Sequence, residues 1–163
     1  MDNKSFLMLC TSLFESNGFV RKGKTYYYDN QCGILLVFGL QKSNYGAYYY
    51  MEHGFAFTEI NKHLPNPKYN ELDINLGRIM PVFGKALCYE LMDEEKFGEL
   101  ADTIQQKLDV LLPIVNSGRG RIVEEFFSPT SQKLSYILDG VAEYLGIDVE
   151  RIKEHRISVV VRE

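Results

Sequence analysis

Glu52 and His53, with Asp73 and Glu90 further along, are the residues whose types suit acid–base chemistry or metal binding. Their spacing works against both. Glu52 and His53 are consecutive in a run of strand-forming residues, so their side chains leave opposite faces of a sheet. His53 falls among Leu36, Met51 and Phe55, where an imidazole held by one hydrogen bond in a core is the ordinary outcome. A general base also needs a second group within hydrogen-bond reach. We therefore assign no catalytic residue, no metal ligand and no cofactor. The alternative is a small hydrolase or small-ligand-binding protein with a cleft beside the sheet near His53, using His53, Glu52 or Glu90. His63 and His155 read as surface residues.

Gly118-Arg119-Gly120-Arg121 has the look of a phosphate-binding loop fragment. It follows a helix rather than a strand and lacks the Lys-Ser/Thr pair, so it reads as a turn between two helices with its arginines in solvent. Arg21, Lys22 and Lys24 sit beside Tyr26 to Tyr28, a pairing that nucleic-acid-binding sheets use. A net charge of −4 and the lack of a longer basic stripe argue against that partner. Cys10, Cys32 and Cys88 have no neighbouring His or Lys to make a thiolate and read as small core residues. The eleven tyrosines are more informative, because tyrosine is enriched at interfaces. Tyr48, Tyr50 and Glu52 share one face of a strand and form the candidate binding surface. That face is either open to a partner or covered by another layer of the chain.

These residues are positioned by the stretch Cys32 to Phe57, which reads as a β-hairpin. Ile34 to Leu40 is apolar throughout; Ala47 to Phe57 follows after an Asn/Gly-bearing turn at Ser43 to Gly46. Setting Lys42 against Ala47 pairs Leu40 with Tyr49, Phe38 with Met51, Leu36 with His53 and Ile34 with Phe55. One face is then strongly apolar. The other carries Leu35, Val37, Gly39 and Gln41 against Gly54, Glu52, Tyr50 and Tyr48, with Tyr50 able to lie over Gly39. Odd-numbered residues of the second run go inward and even-numbered ones outward.

Around the hairpin, Asp2 or Asn3 caps a first helix with Phe6, Leu9, Cys10, Leu13 and Phe14 on one stripe, stopped at Asn17-Gly18. A basic turn, Arg21 to Lys24, leads into a first strand, Thr25 to Asp29. Asn61 to Asn70, with Pro65 and Pro67, predicts an exposed loop. Leu72, Ile74, Leu76 and Met80 alternate as a fourth strand; Ala86 to Met92 is a fifth. Asp93 caps a long helix whose stripe runs Phe97, Leu100, Ala101, Ile104, Leu108, Leu111, Leu112 and Val115, ending or kinking near Pro113. A shorter helix bears Ile122, Val123, Phe126 and Phe127. A third restarts at Ser128 to Thr130 with Leu134, Ile137, Leu138, Val141, Ala142 and Leu145 inward and Gly146 as its stop. A turn at Val149 to Lys153 precedes a terminal strand, Ile157 to Val161. The order predicts an α+β fold, an antiparallel sheet of about five or six strands with helices packed on one side.

A chain of 163 residues makes one ordinary domain, here taken as 1–163. Its hydrophobic content of 45% and charged content of 25% are globular values. No apolar run approaches the roughly 18 residues of a membrane span, and no secretory signal is visible. Three widely spaced cysteines suit a reducing compartment, so the expected location is cytoplasmic.

Phe14 to Tyr26, a helix end followed by Gly-Phe, a basic pair, Gly and an aromatic strand, resembles the opening of the bacterial domain-of-unknown-function 4304 family. Gln41 to Gly46, followed by Tyr48 to Tyr50, is similar to that family's central turn. Leu72 to Arg78 looks like its next strand, and Leu112-Pro113 fits its usual helix close. The resemblance covers roughly residues 5 to 125, leaving a C-terminal helix and strand (130–162) packed on that core. It departs at Glu52-His53-Gly54, where the family tends to have Asn-Leu-Gly, and in lacking the Cys-His pair before Arg78. It implies an α+β fold and a bacterial cytoplasmic protein, and brings no activity or site residue. The functional expectation is a non-enzymatic protein-binding or interaction domain, in the manner of small immunity proteins that pair with a toxin. Its partner is a protein or a second copy of itself, the latter through a free edge such as Val159 to Val161; neither nucleic acid nor membrane is expected.

Overall fold

A computed structural model describes residues 1–79, 87–128, 131, 135–151 and 159–162. Helix α1 (Asn3–Ser16) starts on the Asp2 carboxylate, which accepts from the Ser5 N–H at 2.8 Å. It ends at Asn17, and Gly18 takes the left-handed conformation (φ 82°) that turns the chain back. Phe6, Cys10 and Phe14, four residues apart, are fully buried, whereas Leu9 lies off the stripe and stays exposed.

Strands β1 (Val20–Lys22) and β2 (Thr25–Asp29) form a tight hairpin with Lys22 opposite Thr25. The basic turn expected at Arg21 to Lys24 is thus half strand, with Gly23 at φ 64° making the reversal. Strand β3 (Ile34–Lys42) pairs with β2 and with β4 (Tyr48–Phe57). The hairpin register differs by two residues from expectation: Lys42 faces Tyr49, Leu40 faces Met51 and Ile34 faces Phe57. The connection is longer than a four-residue turn, closed by the Ser43 N–H donating to the Tyr48 carbonyl at 2.9 Å. A shift of two preserves the alternation, so Tyr49, Met51, His53, Phe55 and Phe57 still point inward.

Strand β5 (Ile74–Ile79) pairs with β4 across a bulge. Glu52 faces Arg78 and Gly54 faces Asn75, so Leu76 and Gly77 together oppose His53. Gly77, at φ 83°, supplies the left-handed residue. The bulge flips the alternation, burying Ile79; Met80 lies outside the described residues. The strand expected over Ala86 to Met92 shrinks to β6 (Leu87–Cys88), a two-residue partner of β4, followed by a 3₁₀ turn at Tyr89–Leu91.

Helix α2 (Glu94–Asn116) is capped by Asp93, whose carboxylate accepts from the Lys96 N–H. It runs through Pro113 for three more residues. Pro113 is on the solvent side, so water can serve the carbonyl one turn back that loses its donor. Helix α3 (Arg119–Phe127) buries Ile122, Phe126 and Phe127. The third helix is shorter than expected: Ser135–Leu138 is a strand, β7, and α4 covers Asp139–Leu145. Pairing of Ile137 and Tyr136 with Ile74 and Asn75 of β5 outweighs the helical spacing, and Ile137 is buried in the extended form. Leu134 falls outside the described residues. Strand β8 (Val159–Arg162) lies parallel to β7, bearing out the terminal strand over its described residues.

The sheet order is β1-β2-β3-β4-β5-β7-β8, with β6 on the end of β4. This is the expected α+β arrangement with a sheet of eight strands among the described residues, antiparallel except for β7–β8. The helices contribute to one large core beneath the sheet. There Phe14 stacks on Tyr26 at 4.4 Å and lies 5.0 Å from Phe38, and Phe6 stacks on Tyr49 at 5.6 Å. The opposite face holds a smaller cluster of Tyr27, Leu35, Val37, Ala56 and Leu72. The Pro-bearing segment before β5 crosses this face. Tyr27 donates from Oη to the Pro67 carbonyl, Pro67 is buried, and Tyr69 rather than Tyr50 covers Gly39.

Candidate functional site

The loop before β5 thus covers the outer face at Tyr27 and Gly39, and the candidate binding residues lie toward the hairpin end of β4. Tyr48 is 40% exposed and Tyr45, at the hairpin tip, 96% exposed. Tyr50 and Glu52 are half-buried. Arg78, brought opposite Glu52 by the β4–β5 register, donates from Nε to Oε1 at 2.6 Å and lays its guanidinium over the Tyr50 ring at 4.3 Å. Glu52 is the more buried partner, and its carboxylate fixes the cation above the ring. The structure thus joins Tyr50 and Glu52 to a residue that sequence alternation does not find. The bulge at Gly77 decides which way Arg78 points, and a glycine inside a strand pattern is the only trace of it.

On the inner face, His53 is 4% exposed and its ring stacks on Phe38 at 5.3 Å. Nδ1 lies 2.9 Å from the Gly77 carbonyl, which can only accept, so Nδ1 carries the proton. Burial pushes the imidazole pKa down to about 4, against the Gly77 hydrogen bond, which raises it, and with a small further depression from Lys107. The ring is neutral near neutral pH. No ionisable side chain hydrogen-bonds to it among the described residues.

The other carboxylates named from sequence lie elsewhere. Asp73 is buried and accepts from the Phe57 N–H and the Asn61 Nδ2, each at 2.6 Å. Burial raises its pKa while both hydrogen bonds oppose the rise. It pins β4 to the following loop, a structural task. Glu90 is exposed on the 3₁₀ turn.

His53 also lines a cleft of about 530 Å³. Leu76 and Arg78 join it from β5, and Phe126 from α3. The far wall is one stripe of α2, Thr103, Gln106, Lys107, Val110 and Leu111, at helical spacing. Val110 is 51% exposed among polar neighbours, a break in the solvent face of α2 that the sequence does display.

The remaining motifs do not converge on either feature. Cys10 is buried, and burial pushes its thiol up to about 12; Cys88 is half-buried. Cys32 is exposed, which corrects its reading as a core residue: it sits in the turn before β3. Gly118 precedes α3 directly, Arg119 meets Glu59 and Tyr144, and Arg121 pairs with Glu124 and Glu125. Tyr26 and Tyr27 are buried, so they offer no stacking platform beside the basic hairpin. His63 is exposed; His155 lies outside the described residues. Among the described residues, no group of three His, Cys, Asp or Glu is placed to hold a metal ion, and no helix is long and apolar enough to cross a membrane.

Comparison with known families matches residues 10–117 to Domain of unknown function (DUF4304). Searches of curated proteins and of solved structures returned no match to the chain.

Proposed function

The chain belongs to the DUF4304 family, and on that footing we propose that it is a non-enzymatic protein-binding domain whose partner docks on Tyr48, Tyr50 and Glu52. The observation that carries this reading is the open tyrosine-bearing end of the outer sheet face. It lies next to a face that the chain otherwise covers with its own loop. Tyrosine and arginine are the residue types that dominate binding hot spots, and Glu52 holds Arg78 and Tyr50 in place before any partner arrives. Glu52 and Arg78 neutralise one another, so the fitting partner is a polypeptide surface of low net charge. It would offer apolar groups to the rings and carbonyl or carboxylate acceptors to the tyrosine hydroxyls. The unpaired cysteines fit a reducing, cytoplasmic setting, and the family resemblance fits a bacterial one.

The test is a photo-cross-linking residue placed at Tyr48 in the source cell, with Asp102 on the solvent side of α2 as the control position. A discrete adduct from position 48, absent from 102 and lost in Tyr45→Ser, supports the reading. Its mass and sequence would say whether the partner is a toxin, another protein or a second copy of this chain. No adduct, or equal adducts at both positions, overturns it.

The second reading, a small-ligand-binding protein or hydrolase near His53, is favoured in its binding half by the cleft. A hydrolytic role lacks support, because His53 has no ionisable partner in hydrogen-bond reach among the described residues.

A further inference from the structure

We infer that the cleft between β5 and α2 binds a small organic anion with an apolar body and one hydrogen-bond donor, held by Lys107 and by Nε2 of His53. This extends the ligand-binding reading and does not depend on the docking face.

The argument rests on which groups are already engaged. Arg78 is occupied by Glu52 and Tyr50. Lys107 forms no ion pair or hydrogen bond among the described residues, which leaves its ammonium as the cation available to a ligand in this cleft. Gln106 beside it is likewise without a partner among the described residues. Nδ1 of His53 is committed to Gly77, so Nε2 of the neutral ring keeps a lone pair and no proton. That nitrogen has no partner among the described residues, on a residue 4% exposed that lines the cleft. A buried acceptor left without a donor is costly, and a ligand hydroxyl or N–H would relieve it. Leu76, Leu111 and Phe126 supply the apolar lining, and exposed Val110 extends it to the rim. A volume of about 530 Å³ falls within the roughly 300–1,000 Å³ of small-molecule sites. Each part of the ligand is thereby specified: negative charge toward Lys107, a donor toward His53 and a flat or branched apolar body between them.

The experiment is a backbone-amide NMR titration of the full chain with indole-3-propionate, which carries all three features, and with tryptamine, its cationic counterpart. Saturable shifts from indole-3-propionate confined to Leu76–Arg78, Thr103–Leu111 and Phe126 are expected, with tryptamine giving none there. Lys107→Gln, at an exposed position that leaves the fold intact, should weaken binding roughly tenfold, and His63→Gln, on the exposed loop before β5, should leave it unchanged. Equal cleft shifts from tryptamine, or unaltered affinity in Lys107→Gln, would overturn the anion assignment while keeping the cleft as a site. Absence of cleft shifts from both compounds at millimolar concentration would overturn the site itself.

Discussion

Acid should destabilise this fold through one buried side chain. His53 is neutral in the folded protein with a pKa of about 4, against 6.5 for the free side chain. Below pH 6.5 the unfolded chain takes up a proton that the folded chain refuses until pH falls to about 4. Stability is therefore intact above 6.5 and declines as pH drops through this window. At roughly 1.4 kcal/mol per pH unit, the loss reaches about 2 kcal/mol at pH 5 and about 3 kcal/mol at pH 4. Asp73 works in the opposite sense. Its folded pKa is raised, so the folded state binds the extra proton and gains stability as pH falls through that raised value toward 3.8. The raw pH profile mixes the two. Urea unfolding of the wild type and of His53→Gln across the same pH range separates them, because glutamine can still donate to the Gly77 carbonyl and does not titrate. The wild type is expected to lose about 3 kcal/mol more than the variant between about pH 7 and about pH 4. Curves that stay parallel to within about 0.5 kcal/mol would refute the reasoning, since they would mean that the folded protein admits the imidazolium.

Three further outcomes follow from the sheet. A Cβ added at Gly54 would stand 2.0 Å from the Ile74 carbonyl oxygen, so the strands must separate. Gly54→Ala should cost about 3 kcal/mol or more, read as a fall in Tm of about 6–12 °C, whereas at Gly39 the added Cβ would stand 2.7 Å from the Tyr69 Cβ, which moves only with its loop, so Gly39→Ala should cost about 1–3 kcal/mol. Asp73→Ala leaves the buried Phe57 N–H without its acceptor and should cost about 1–3 kcal/mol in urea unfolding, with faster exchange of that amide. Glu52→Gln should cost under about 1 kcal/mol, because Arg78 is 46% exposed, yet it should release Arg78 from Tyr50, visible as averaging of the Tyr50 ring environment.

Along β4, the face each side chain takes was easier to read than the residue it faces. Parity along β4 follows from alternation alone, so the inward set Tyr49 to Phe57 survived a two-residue error in register. The register itself depends on how many residues the hairpin connection holds, and Ser43 to Ala47 carry signals for more than one length. At β5, alternation of Leu72, Ile74, Leu76 and Met80 concealed the bulge, because Gly77 adopts its left-handed conformation in answer to β4. Ser135 to Leu138 has helical spacing on both sides of it, and only a free edge on β5, distant in sequence, makes it a strand. The cleft was illegible for the same reason. It exists where a bulge, an imidazole and a stripe of α2 meet, and none of the three implies the others.

The sheet is assembled from two unequal instalments. β1 to β4 come from residues 20–57 in one meander, and α1 already shields the Phe14–Tyr26–Phe38 end of it. The cover over Phe55 and Phe57 arrives with later helices: Phe126 of α3 meets Phe55 at 5.5 Å, and Tyr144 of α4 meets Phe57 at 5.8 Å. During synthesis there is thus an interval in which a finished ladder has a naked greasy underside, the situation in which nascent chains stick to one another. The helices that follow the sheet close that interval, serving as a chaperone encoded in the same polypeptide, and a fragment cut after Phe57 should precipitate where the full chain does not.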